Sequence, residues 1–239
     1  MVALGVDPSW SDEFSLCAKL ASLVCNTPVR LRKDDWNPST IAFKDIELLR
    51  EIPAFTKPLD SFLKSRETAA PIVASEDFVD KLRSDPNHRL AVSITTLPKD
   101  RLDTVTLHVS AAILHEKILH CVTKQQRQNI QQCFGQDALN TAMREARAFY
   151  PDLAALGNLE TFGSIFTTVA EGSDLDAEHP FKILSIGYDV IYTFLQRHEE
   201  CLAGLIQRRT PEHEMISIEL DDKQMPQVAR LLRHKGSGA

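Results

Sequence analysis

Cationic residues are scarce in this chain, and almost nowhere do they cluster. There are 27 Lys and Arg against 33 Asp and Glu, a net charge of −6. Such a balance excludes general nucleic-acid binding, which depends on clustered cations releasing counterions from phosphates. The local exception, Arg30, Arg32 and Lys33, reads as a solvated loop. No stretch approaches the roughly 18 uncharged apolar residues of a membrane span. The opening MVALGVDPSW also lacks the basic start and apolar run of a secretory signal, so a cytosolic protein without direct membrane insertion is expected. Cysteine is limited to 5 residues, an odd number with no CxxC spacing, which argues against a disulfide framework. Cys17, Cys25, Cys121, Cys133 and Cys201 read as reduced, mostly helical filler. Glycine numbers 9, and neither GxGxxG nor GxxxxGK occurs, so nucleotide binding has no support. No GxSxG elbow is present either.

What is present is apolar periodicity at helical spacing, with 43% hydrophobic residues over 239 positions, enough to bury a sizeable core. The best-specified stretch is Leu97–Phe149. Pro98 suits a helix start, Thr96 is placed to cap it, and Asp100 puts negative charge in the first turn. Leu102, Val105, Val109, Ala112, Ile113 and Leu119 then recur at three- and four-residue steps. Leu107, Leu114, Ile118 and Val122 widen this surface well beyond one stripe, which predicts a helix central to the core. The polar run Gln125–Gln132 reads as the break, and Gly135 as a stop before a second amphipathic segment, Asp137–Phe149, carrying Leu139, Ala142, Met143, Ala146 and Phe149. The unit is a helical hairpin.

Around it, Ser9–Cys25 predicts a first helix, and Lys44–Glu51, Pro58–Arg66 and Glu76–Leu82 predict shorter ones between prolines 28, 38, 53, 58, 71 and 86. Leu159–Val169 is apolar, and Glu171–Pro180 is acidic and loop-like. A long helix is predicted over Phe181–Gln207, with Ile183, Ile186, Val190, Phe194, Cys201, Leu202 and Leu205 on one side and Arg208 and Arg209 at its basic end. The alternation in Glu214–Leu220 suggests a short strand, after which Asp221 or Asp222 caps a last helix to about His234. The expected class is therefore a mainly α, multi-helix globular protein with at most a short β element near the C-terminus. Residues 1–90 form a proline-punctuated short-helix region, 91–235 the helical core, and 236–239 a tail.

A search for reaction chemistry among these residues is mostly negative. His115, Glu116 and His120 differ from the zinc-protease signature by one residue: a step of five rotates the second imidazole roughly 140 degrees from the first, so the two cannot close on one ion. His108 and His115 do share a face, with Cys121 nearby, yet core or surface histidines explain them more simply. His198, Glu199, Glu200 and Cys201 are consecutive and point in different directions. Asp221 and Asp222 are better explained as a cap than as an acid and base. No metal, cofactor or catalytic residue is assigned.

The order Leu-Pro at 97–98, Arg-Leu-acid at Arg101–Asp103, then Leu114, His115, Ile118, Cys121 and Val122, a Gln-rich turn and a second helix near Asp137 resembles the YscK or SctK family of type III secretion sorting-platform proteins. The stretch Leu184–Pro211, read as a glycine before a long amphipathic helix ending at Arg-x-Pro, is similar to that family's second helical region. The similar stretches span about residues 90–235, and the family's opening aromatic-and-proline motif has no counterpart in residues 1–60.

The resemblance implies a non-enzymatic adaptor that joins the cytoplasmic domain of the inner-membrane ring protein to the pod subunit carrying the ATPase complex. It would sit at the cytoplasmic face of the inner membrane through those partners. Trp10, Trp36, Arg208 and Arg209 are of the types that anchor interfaces and are the partner-binding candidates; Tyr188 and Tyr192 are equally well placed as core. The other class is a helical enzyme or metal-binding protein with a site assembled from scattered His, Cys and acidic residues.

Overall fold

The computed structural model describes residues 15–20, 22–23, 76–172, 179–210, 213 and 215–236. From residue 76 onward the described helices are α1 Glu76–Ser84, α2 Pro86–Thr95, α3 Lys99–Ile113, α4 His115–Leu119, α5 Lys124–Asn140, α6 Arg147–Phe149, α7 Glu160–Glu171, α8 His179–His198, α9 Glu200–Arg209 and α10 Gln224–Gly236. A π-helical turn, Thr141–Ala146, joins α5 to α6, and a 3-10 segment, Pro151–Asn158, precedes α7. No strand occurs among the described residues, so the class is mainly α.

The start of α2 follows elementary chemistry. Asp85 accepts the Asn87 N–H at 2.8 Å, and Pro86 occupies a first-turn position whose amide would have had no partner. Thr96 does not cap α3. Its hydroxyl donates back to the Ser93 carbonyl at 3.0 Å, closing α2, while Pro98 holds the α3 cap position without a side-chain bond.

From Leu102 onward α3 is buried on nearly every side, packed against α5, α8, α10, the π-turn and the 3-10 segment. Its crossing with α8 depends on Gly187, where a Cβ would lie 2.3 Å from the Thr106 carbonyl oxygen and 2.7 Å from Ser110 Oγ. Contact this close allows Ser110 Oγ to donate to the Ile183 carbonyl at 2.8 Å. Gly187 therefore lies inside α8 at the crossing and does not precede the helix. Next to it in the chain, the Tyr188 hydroxyl donates to Asp103, which also holds Lys99 Nζ at 2.6 Å.

The single helix expected over Phe181–Gln207 is two. Glu199 takes φ −163 and ψ 113, an extended conformation, and α9 starts afresh from it. No proline or glycine marks this corner in the sequence. Tertiary contacts hold it: Lys81 of α1 approaches the Glu199 carboxylate to 3.3 Å, and His198 lies 3.8 Å from Asp85.

The expected strand is absent as well. Residues 215–220 run as a strap along α8, with the Ile216 N–H donating to Asp189 Oδ1 at 2.9 Å and the Ile218 N–H to Thr193 Oγ1 at 3.0 Å. Alternate amides thus find acceptors on side chains one helical turn apart, which satisfies a strand-like pattern without a second strand.

Asp221 caps α10 as predicted, accepting from Lys223 and Gln224 while Gln224 Oε1 accepts from the Asp221 N–H. Gly236 belongs to α10, where an added Cβ would lie 2.8 Å from Ile94 Cδ1. α2 runs through residue 90 and packs on α8, α9 and α10, so residues 76–90 join the core. Within the expected helix Ser9–Cys25, residues 15–20 and 22–23 are helical and Leu20 is buried. The helices expected at Lys44–Glu51 and Pro58–Arg66 lie outside the described residues.

Candidate functional site

The hairpin turns earlier than its composition suggests. Leu114, at φ −91 and ψ 8, separates α3 from α4, which ends after five residues. Residues 120–123 make the turn, and Thr123 then caps α5 through a full capping box: its hydroxyl accepts the Gln126 N–H at 3.2 Å while Gln126 Oε1 accepts the Thr123 N–H at 3.3 Å. The run Gln125–Gln132 is therefore the first half of a helix, not the break. Its buried apolar side chains are Ile130 and, one turn on, Cys133 and Phe134, and the one buried amide side chain of the run, Asn129, donates to the carbonyls of Ala170 and Gly172 at the end of α7. Gly135, at φ 70 and ψ 168, bends the chain where the stop was expected.

This local geometry strands apolar side chains in water. Leu119 is 50% exposed, Val122 76% and Met143 60%, although the periodicity puts Leu119 in the core stripe, Val122 in its widening and Met143 on the apolar side of the second segment. Beside them a cavity of about 380 Å³ is lined by Ile118, Leu119, Ile130, Leu139, Met143 and Arg127. Arg127 also fixes the turn, its Nε donating to the Cys121 carbonyl at 3.1 Å. The capping box, Thr123 followed three residues later by Gln126, was the sequence signal that could have located this turn and hence the exposure.

On the other side of α4 lies a more polar cavity of about 410 Å³, lined among others by Glu116, His120, Gln126, Asn158, Thr167 and Glu171. His120 is exposed and donates from Nδ1 to the Glu116 carbonyl at 2.6 Å, whereas His115 is buried with Nδ1 on the Ala112 carbonyl at 2.8 Å. His108 bonds Thr141 at 2.8 Å inside the core. These imidazoles have separate partners and do not converge. Among the described residues no group of three His, Cys, Asp or Glu side chains is placed to hold a metal. Burial pushes the thiols of Cys133 and Cys201 up to about 11, so neither is a ready nucleophile.

Two polar clusters complete the inventory. Asp189, almost fully buried, accepts from the Ile216 N–H and pairs with His213 Nε2 at 2.7 Å, fastening the strap to α8. At the α8–α9 corner His88 is buried with neither ring nitrogen hydrogen-bonded, in edge-to-face contact with the Phe78 ring, and His198 lies tilted against Phe194 with Nε2 equally without a hydrogen bond. Burial holds both imidazoles below the ordinary value, with Glu199 opposing it for His88 and Asp85 opposing it for His198.

Of the expected anchoring residues, Trp10 and Trp36 lie outside the described residues. Arg209 is half-buried, and its guanidinium donates to the carbonyl of Thr95, the last residue of α2, and to that of Leu97 just beyond it. It closes a helix, so replacing Arg208 and Arg209 together would perturb the fold along with any interface. Tyr188 is core, and Tyr192 is partly buried. No helix among the described residues is long and apolar enough to cross a membrane. No protein-family model, curated protein or solved structure matches this chain.

Proposed function

We propose that this protein is a non-enzymatic adaptor of a bacterial type III secretion sorting platform, linking the cytoplasmic domain of the inner-membrane ring protein to the pod subunit that holds the ATPase complex. In this reading it is cytosolic and reaches the inner membrane through those partners. The residues that carry the resemblance also build the framework of the molecule: Asp103 and Tyr188, from its two similar stretches, bond across the α3–α8 crossing.

The observation that carries the proposal is the open apolar groove on the same hairpin. Leu119, Val122 and Met143 lie in water beside a recess large enough to take side chains from another molecule. Contiguous exposed apolar surface with a polar edge is what a docking face requires. Arg127, Gln131 and Gln136 supply that edge.

The test is affinity capture from the native host with the full chain as bait, followed by identification of bound proteins. Co-purification of the inner-membrane ring protein and the pod subunit is expected. Capture that returns neither, from cells in which both are expressed, would overturn the assignment.

A further inference from the structure

We infer that the groove between α4 and α5 receives an α-helix of a partner protein, amphipathic and carrying at least one acidic residue beside its apolar anchors. This deepens the adaptor reading, on which it rests for treating the groove as a docking face. Two observations select that occupant, and a third shows what shapes the groove.

First, the walls are helical. Ile118 and Leu119 come from α4, Ile130 and Leu139 from α5, and Met143 from the π-turn, elements whose backbone groups already bond within their own helices. A strand laid against them would find no unpaired ladder to join and would lose hydration on its own amides. A helix brings its backbone bonds with it.

Second, the lining is apolar where it is deepest and charged in one sense only. Arg127 is the sole ionisable side chain apart from Cys121 among the residues that line the cavity, and no carboxylate is among them. On a chain of net charge −6 this is a local reversal. Its Nε is committed to the Cys121 carbonyl, which holds the guanidinium at the rim instead of leaving it to rotate in solvent. A fixed cation beside apolar walls is complementary to a carboxylate flanking apolar anchors, and it disfavours a partner that presents Lys or Arg there.

Third, the recess follows a bend that is built in. The lining residues fall on both sides of Gly135, whose φ of 70 splits α5 so that Gln136 and Leu139 turn away from the line of Arg127 and Ile130. An added Cβ at Gly135 would meet nothing within 4 Å. Packing therefore does not demand a glycine here. The backbone conformation does, and that conformation shapes the groove.

The experiment pans a displayed library of short amphipathic helices, randomised in anchor and flanking positions, against the full-length chain. Enrichment of helices with apolar residues at i, i+3 or i+4 and i+7 and a flanking Asp or Glu is expected. The affinity of the enriched peptide should fall at least about tenfold for Leu119→Glu/Val122→Glu, and Arg127→Glu should shift its flanking preference from acidic to basic. The variants' circular dichroism and thermal transitions serve as the folding control. Enrichment of extended or basic sequences, or binding unchanged in Leu119→Glu/Val122→Glu, would overturn the inference. So would self-association of the native chain that this double variant abolishes, since the groove would then take a second copy. If the same variant still captures the ring and pod subunits, the adaptor reading stands and only the assignment of the groove falls.

Discussion

The α3 side of the α3–α8 crossing and the hairpin face around Leu119 and Val122 belong to one apolar-rich stretch, yet the first is sealed to within a methyl group and the second is open to water. At the crossing, Gly187 brings backbone against Thr106 and Ser110, and the polar atoms are paired: Ser110 with the Ile183 carbonyl, Tyr188 with Asp103. Across the hairpin, Leu119, Val122 and Met143 are half or more exposed. Hydrophobic content alone does not separate the two. What separates them is whether a second element is supplied opposite, and for the hairpin face the described part of the chain supplies none. A region sealed in this way responds to substitution through stability, and an open one responds through binding.

The largest effect should come from adding one carbon at the crossing. Gly187→Ala places a Cβ against backbone oxygen, so α3 and α8 must separate, and a loss of about 3 kcal/mol in chemical denaturation is expected. Gly204→Ala is the matched control. It sits inside α9 with nothing within 4 Å of the new Cβ, and it should raise stability by about 0.5–1 kcal/mol through helix propensity. Equal effects at the two glycines would mean that the crossing is not the tight contact described.

A smaller and graded effect is expected from pH, and it should act on the sealed regions. His88, His108 and His198 are each held below the ordinary imidazole value of 6.5, chiefly by burial. Because the unfolded chain binds these protons more readily, stability is complete above about pH 6.5 and is lost as pH falls below it toward the folded values, with a limiting slope of about 1.4 kcal/mol per pH unit for each imidazole. His88→Leu should flatten that dependence. Denaturation midpoints recorded between neutral and mildly acidic pH check it, and an unchanged slope in the variant would remove His88 from the account. The groups around this corner pull in opposite directions: Glu199 and Asp85 favour the proton on His88, while Lys81 and His198 oppose it.

The smallest effect on stability belongs to the open face. Leu119→Glu/Val122→Glu should leave the thermal transition nearly where it was, within about 0.5 kcal/mol per site, because both side chains already stand in water. A large drop would show that the face is part of the core, and the contrast between the two regions would disappear.

Local chemistry made several elements legible without coordinates. Asp221 caps α10, and the near-continuous apolar character after Leu102 marks α3 as central, since each of these depends on neighbours within a turn or two, whereas α2, which starts at Asp85–Pro86, was not anticipated although its cap and first-turn proline are equally local. The corner at Glu199 was not legible. It is held by Lys81, more than 100 positions away, and nothing in its own neighbourhood interrupts the helical period. The strap at 215–220 was misread for a related reason: its amides are satisfied by Asp189 and Thr193 side chains, an arrangement that leaves the same alternation as a strand. Arg209 was legible as a helix-end cation, but its internal task of binding the Thr95 and Leu97 carbonyls depends on how α9 lies against α2.

By itself, then, the amino-acid order determined where the last helix begins, which helix is wrapped on all sides, and that the fold is mainly α. These are consequences of caps, prolines and a 3.6-residue period acting over short range. Tertiary structure alone decided which apolar residues remain outside, where a periodic helix breaks, and which arginine is committed to its own chain. Exposure and pairing are properties of what is brought opposite a residue, and the partners involved are remote in sequence.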